Sequence, residues 1–176
     1  KLVKSGSKVR SIVTKKTKDK PRSFFDNIDK WAKEEGASGL AYFTLEQDKT
    51  ISAKGPIGKF FSEEALIEIM KITKCEVGDS MFMACGKKSE LEKITALARD
   101  KIGRELDLID DNIFAFCWIV DYPMFERDEI SNKIKFSHNP FSMPQGDLTE
   151  ENFKNPLDIL AYQYDIVCNG IELSSG

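Results

Sequence analysis

Two carboxylates, Asp165 and Glu172, stand either side of an apolar run and the dipeptide Asn169-Gly170. Carboxylates of this kind can hold a hard cation such as Mg2+, which takes oxygen ligands and keeps places for phosphate oxygens. On an unbroken strand their spacing of seven would set them on opposite faces, because side chains alternate. Asn169-Gly170 offers a turn or bulge that could bring both round to one side. Solvated edge carboxylates are an equally good reading of these residues. A second stretch, Phe136 to Pro144 (FSHNPFSMP), carries the sole histidine, His138, in a loop that two prolines stiffen. A histidine so placed can donate to an anionic substrate and gain charge from it, although an incidental surface histidine explains the residue as well. A third stretch, Trp118 to Glu126 (WIVDYPMFE), could deliver a carboxylate to a sheet edge, or could be only a buried strand and its turn. The basic run Lys15, Lys16, Lys18, Lys20 and Arg22 could touch a phosphate backbone. Asp19 interrupts it, and it reads as a solvated loop without functional weight.

The elements that must position these groups fall into two patterns. Residues 8–113 alternate strands and helices. A weak strand over residues 8–14 precedes Pro21, a good first helical residue. Phe24, Phe25, Ile28, Trp31 and Ala32 then follow at helical spacing, and Gly36 is the natural stop. A strand is expected over residues 39–45 and a helix capped by Ser62, with Ala65, Leu66, Ile69 and Met70 inward. Gly78-Asp79 makes a turn into a short buried strand, Met81 to Cys85. Ser89 and Glu92 have the spacing of a capping box. The helix after them carries Leu91, Ile94, Ala98, Ile102 and Leu106 on one stripe. From residue 114 the pattern changes. Residues 114–120 are almost wholly apolar, the signature of a strand buried on both faces, and residues 114–176 read as the central strands of a larger sheet whose partners are missing. Short strands near residues 124–126 and 134–136 suggest a hairpin. A short helix after Pro156, a strand over residues 164–168, the Asn169-Gly170 turn and a last strand over residues 171–173 complete the series.

Composition narrows the classes. The 176 residues carry a formal charge of −3, which argues against a dedicated nucleic-acid coat or a membrane-surface protein. The four cysteines, Cys75, Cys85, Cys117 and Cys168, include no CxxC pair, so neither a structural zinc site nor a disulfide scaffold is expected, and free thiols in a reducing cytoplasm fit better. No apolar run reaches transmembrane length. The chain has no initiator methionine and ends beside a strand-like stretch, and from this an internal segment of a longer protein is expected.

Taken together, the stretches WIVDYPMFE, FSHNPFSMP and residues 164–176 (YDIVCNGIELSSG) resemble the bacterial-type aspartyl-tRNA synthetases, where they occur in this order. Residues 36–42 (GASGLAY), 56–61 (PIGKFF) and 78–82 (GDSMF) resemble the inserted GAD domain of those enzymes. The resemblance implies an α+β chain. Residues 1–7 would end a preceding core segment, residues 8–113 would form the GAD-type insert, and residues 114–176 would be part of the mostly antiparallel class II catalytic core. It implies that His138 contacts the substrate L-aspartate, that Asp165 and Glu172 hold Mg2+, and that Glu172 also serves ATP. It further implies tRNA as a partner, a homodimer for the whole protein, and a cytoplasmic location. Many relatives have a second histidine where Asn139 stands, and glycines often replace Ser174-Ser175. The family's ATP-clamping arginines and dimer helix lie outside these residues, so the chain alone is expected to be inactive. The competing expectation is a non-catalytic tRNA- or protein-binding module, related to the insert of a tRNA-dependent amidotransferase subunit. A phosphatase-like Mg2+ hydrolase would need a nucleophile that the sequence does not offer.

Overall fold

Alternation along two central strands explains the first half of the fold. In the computed structural model, which describes residues 6–128, 130–137 and 139–176, strands β1 (Lys8–Thr14), β2 (Ala41–Gln47), β3 (Ile51–Lys54) and β4 (Ser80–Gly86) form an antiparallel sheet in the order β1-β4-β2-β3. Tyr42 and Phe82 point to one face, Phe43 and Met81 to the other, as a period of two requires. Both faces are covered, so β2 and β4 read as nearly continuous apolar runs. Helices α1 (Arg22–Glu34) and α3 (Lys88–Glu105) bury Phe25, Ile28, Ala32, Leu91, Ile94, Ala98 and Ile102 against the first face. Helix α2 (Glu63–Thr73) buries Leu66 against the second, beside Phe43, Leu45 and Cys75. Phe43 and Phe82 are wholly buried. Each such side chain contributes roughly 1.5–3 kcal/mol relative to exposure. The Phe25 and Tyr42 rings stack with centroids 4.7 Å apart.

Local signals place most of these boundaries. Ser62 caps α2, its hydroxyl accepting from the Ala65 amide. Gly36 stops α1 with a φ of 89°, in the region where a Cβ is costly. Pro21 stands one position before α1 as its N-cap rather than within it. The capping box expected from Ser89 and Glu92 does not form. Helix α3 begins at Lys88, its N-cap Lys87 makes no side-chain cap, and the Glu92 carboxylate instead accepts from Arg10 at 2.9 Å. Strand β3 was not foreseen.

Close contacts divide the chain into Lys1–Ile109 and Asp110–Gly176. In the second unit β10 (Asp165–Cys168) is the middle strand of an antiparallel trio, with β5 (Phe116–Ile119) on one side and β11 (Ile171–Ser175) on the other. Two small antiparallel pairs accompany it. One is β6 (Tyr122–Pro123) with β9 (Leu160–Ala161). The other is the foreseen hairpin of β7 (Phe125–Arg127) and β8 (Ile134–Phe136). Helix α4 (Glu150–Lys154) starts with a capping box, Thr149 and Asn152, ahead of the 3-10 turn Pro156–Asp158. Within this chain the apolar residues 114–120 are not buried, as expected of a strand whose sheet partners lie elsewhere. Strand β5 is an edge strand, with Phe116 and Trp118 more than half exposed. An apolar run shows that a strand can be covered and does not name what covers it.

Among the described residues all four cysteines are free; Cys75 and Cys168 are buried, Cys85 is half-buried and Cys117 is exposed. No helix of the described residues is long and apolar enough to cross a membrane.

Candidate functional site

The turn between β10 and β11 decides how the two carboxylates stand. Asn169 and Gly170 have φ of 50° and 81°, the positive pair that a two-residue type I′ turn demands. The Asn169 carboxamide also fastens this turn to the strand beside it. Its Oδ1 accepts from the Ala115 amide at 2.8 Å and its Nδ2 donates to the Ile113 carbonyl at 2.9 Å. The turn sets Cys168 opposite Ile171 and Val167 opposite Glu172. Directly opposed residues share a face, and so do residues two apart on one strand. Glu172 therefore lies on the face of Val167, which is also the face of Asp165. The register then shifts, leaving Leu173 as an extra residue and setting Ser175 opposite Asp165. Reversal of the chain at Asn169-Gly170, rather than the bulge, brings the two carboxylates to one side.

Their surroundings differ. Asp165 is buried and Glu172 is exposed. The Tyr122 hydroxyl, delivered by β6, donates to Asp165 Oδ2. This bond, burial, and the charges of Asp165 and Glu172 push the Tyr122 phenol up to about 12. Tyr122 lies within the WIVDYPMFE stretch, but sequence reasoning did not single it out. A phenol after an apolar strand carries no signal of its partner, because the pairing of β6 with β9 sets its position.

His138 lies outside the described residues. The residues around it are tied down. The Ser137 amide donates to Met124 O at 3.0 Å, and Asn139 accepts from the Phe141 amide through its side chain at 3.0 Å. Residues 142–145 then run beside residues 160–163. Tyr162 N donates to Met143 O at 2.8 Å, Gln145 N to Leu160 O at 2.8 Å, and Gln145 Nε2 to Ala161 O at 3.0 Å. The Ser142 hydroxyl reaches the buried Gln163 carboxamide. The same segment leads directly into Asp165.

Two carboxylates on one face, with a hydroxyl beside them, are an all-oxygen donor set that suits Mg2+ and not a softer metal. Among the described residues no group of three or more His, Cys, Asp or Glu is close enough to cage a metal.

Comparison with known proteins starts with the class. The GAD domain model matches residues 1–95, more than half of the chain, and the chain belongs to that family. Over its whole length it is 77% identical to the aspartate–tRNA(Asp/Asn) ligase of Pelagibacter ubique (strain HTCC1062), of which it spans 30%. It is 55% identical over 175 residues to the ligase of the same name from Wolbachia sp. subsp. Drosophila simulans (strain wRi), covering 29% of that protein. Against the Gluconobacter oxydans (strain 621H) ligase it is 48% identical over 176 residues, again 29% of the relative. The chain thus spans less than a third of these curated relatives, and the α+β reading agrees with its helices and antiparallel strands.

Proposed function

We propose that this chain is a segment of an aspartate–tRNA ligase that activates L-aspartate with ATP and passes it to tRNA. The observation that carries the proposal is the 77% identity that runs through both units to the last residue. A stand-alone GAD module offers no reason for a match through residues 114–176, so the non-catalytic alternative is not favoured. In the proposed reaction an aspartate carboxylate oxygen attacks the α-phosphorus of ATP. The bond to pyrophosphate breaks, and the aspartyl group later moves to the terminal ribose as AMP leaves. Asp165 and Glu172 would hold Mg2+, which when bound neutralises charge on the phosphoryl oxygens. Glu172, exposed on its strand, is the group free to meet ATP, while the Tyr122 hydroxyl orients the buried Asp165. His138 would contact the substrate aspartate. The whole protein is proposed to act as a cytoplasmic homodimer, and the 176 residues alone are expected to be inactive.

Aspartate-dependent exchange of pyrophosphate into ATP tests this on the full-length protein, on this chain, and on the full-length Glu172→Gln variant. Exchange by the full-length protein, none by the chain, and a loss on the order of 10²-fold in the variant are expected. A full-length protein without aspartate-dependent exchange would overturn the ligase reading. A fully active Glu172→Gln variant would remove Glu172 from the site.

A further inference from the structure

The basic run before α1 is folded rather than a loose solvated loop. Thr17 is buried and its hydroxyl meets that of Thr14 at 2.7 Å. Lys18 N donates to Gly78 O at 3.0 Å, Lys20 N to Thr17 O at 3.1 Å, and Pro21 fixes φ at −61° before Arg22. This conformation sends Lys18, Lys20 and Arg22 to one cleft of the first unit, and Lys54 joins them from the end of β3. Gly55 makes that approach close, since a Cβ there would lie 2.8 Å from Tyr42 O. The four charged residues that line the cleft are all cations, in a chain whose formal charge is −3. Among the described residues Lys18 and Lys20 have no carboxylate at ion-pair distance; Lys20 lies over the Phe24 ring instead. Arg22 pairs with Asp26 at 3.1 Å and Lys54 with Glu46 at 2.6 Å, all with exposed cations that a stronger anion can draw away.

We propose that this cleft binds the phosphate backbone of RNA. A concave surface lined by one sign of charge focuses its field, and the backbone bonds of residues 17–21 fix where the cations emerge. Separate cations on long stems track successive phosphates along a strand. A single free phosphate is better held by a nest of backbone amides, and here Pro21 removes an amide from the start of α1. Tyr42 and Phe25, the two aromatic rings that line the cleft, are buried beneath it, so neither is offered for base stacking and binding is independent of base sequence. The proposal does not depend on the ligase reading.

The test uses the 176-residue chain, a labelled single-stranded oligoribonucleotide and fluorescence anisotropy at low and moderate salt. Lys18→Ala/Lys20→Ala/Lys54→Ala should weaken binding at least tenfold and flatten the salt dependence by about 2 in log–log slope, near 0.7 for each cation lost. Lys71→Ala/Lys88→Ala/Lys93→Ala removes equal charge from exposed positions outside the cleft and should stay within twofold. Circular dichroism confirms that both variants fold. Equal loss in the two variants, or no binding by the unaltered chain, overturns the proposal. So does displacement of the RNA by inorganic phosphate at an equal concentration of phosphate groups, which would mark a single-ion site.

Discussion

Replacing Asp79 by alanine should cost the first unit about 2–4 kcal/mol. Asp79 is only 2% exposed. Its Oδ2 accepts from Lys15 Nζ at 2.8 Å and from the Glu76 amide at 2.8 Å, and its Oδ1 from the Lys16 amide at 2.9 Å. One carboxylate thus joins the end of β1 to the turn that precedes β4. Each hydrogen bond to a charged acceptor contributes about 1.5–3 kcal/mol, so three would sum to several. Lys15, Lys16 and Glu76 are exposed, however, and water takes over part of what their donors lose. This brings the net down to the stated range. Asp79→Asn keeps one acceptor oxygen and should lose about 1–2 kcal/mol. Urea unfolding followed by Trp31 fluorescence, in a Trp118→Phe background, measures both.

The same group sets an acid dependence. Burial alone would raise its carboxyl, but the Lys15 ammonium and the two amides outweigh burial and hold it below the ordinary carboxylate range. A folded-state value below the unfolded one stabilises above the unfolded pKa, near 3.9, and that stabilisation is lost as pH falls through the folded value. Asp79→Asn should remove this part of the acid sensitivity. A change below about 0.5 kcal/mol for Asp79→Ala, the range of an ordinary surface substitution, would refute the reasoning.

Two further outcomes follow from geometry. At Gly58 a Cβ would lie 2.3 Å from the Ala53 carbonyl oxygen, which is backbone and cannot swing away. Gly58→Ala should therefore cost about 1–3 kcal/mol in the same unfolding assay, and an unchanged midpoint would show that the turn moves freely. Tyr122, pushed up to about 12, should stay protonated where ordinary tyrosines are half ionised. Its bond to Asp165 stabilises below the unfolded value of about 10 and is lost as pH rises towards the folded one. Tyrosine ring-carbon NMR, assigned with Tyr122→Phe, reads this directly, and an ordinary midpoint would count against the bond.

Much of the fold was legible because its signals are local. Helical spacing marked α1 and α3, Ser62 marked the start of α2, and Asn169-Gly170 marked the hairpin that carries Glu172. What the local signals left open shares a cause. Ser89 and Glu92 had capping-box spacing, but Arg10, distant in the chain, takes the Glu92 carboxylate. The apolar residues 114–120 show that a strand can be covered, but what covers it belongs to neighbours in space, and β5 has a strand on one side only among the described residues. The capping box that does form, at Thr149, uses an asparagine in place of the usual glutamate or glutamine.

The sequence by itself determined most of the element types, the change of pattern near residue 113, and the presence of two carboxylates, Asp165 and Glu172, either side of a turn signal. Only the tertiary structure decided that those carboxylates share a face. Face sharing depends on where the chain reverses, and two tight positive-φ residues place that reversal between them. It also decided that Tyr122 reaches Asp165 across 43 residues of chain, and that Lys54 meets Lys18 and Lys20 in one cleft. Each of these depends on strand pairing between distant segments. Periodicity reports which way a side chain faces along its own element, while register between elements determines what it meets.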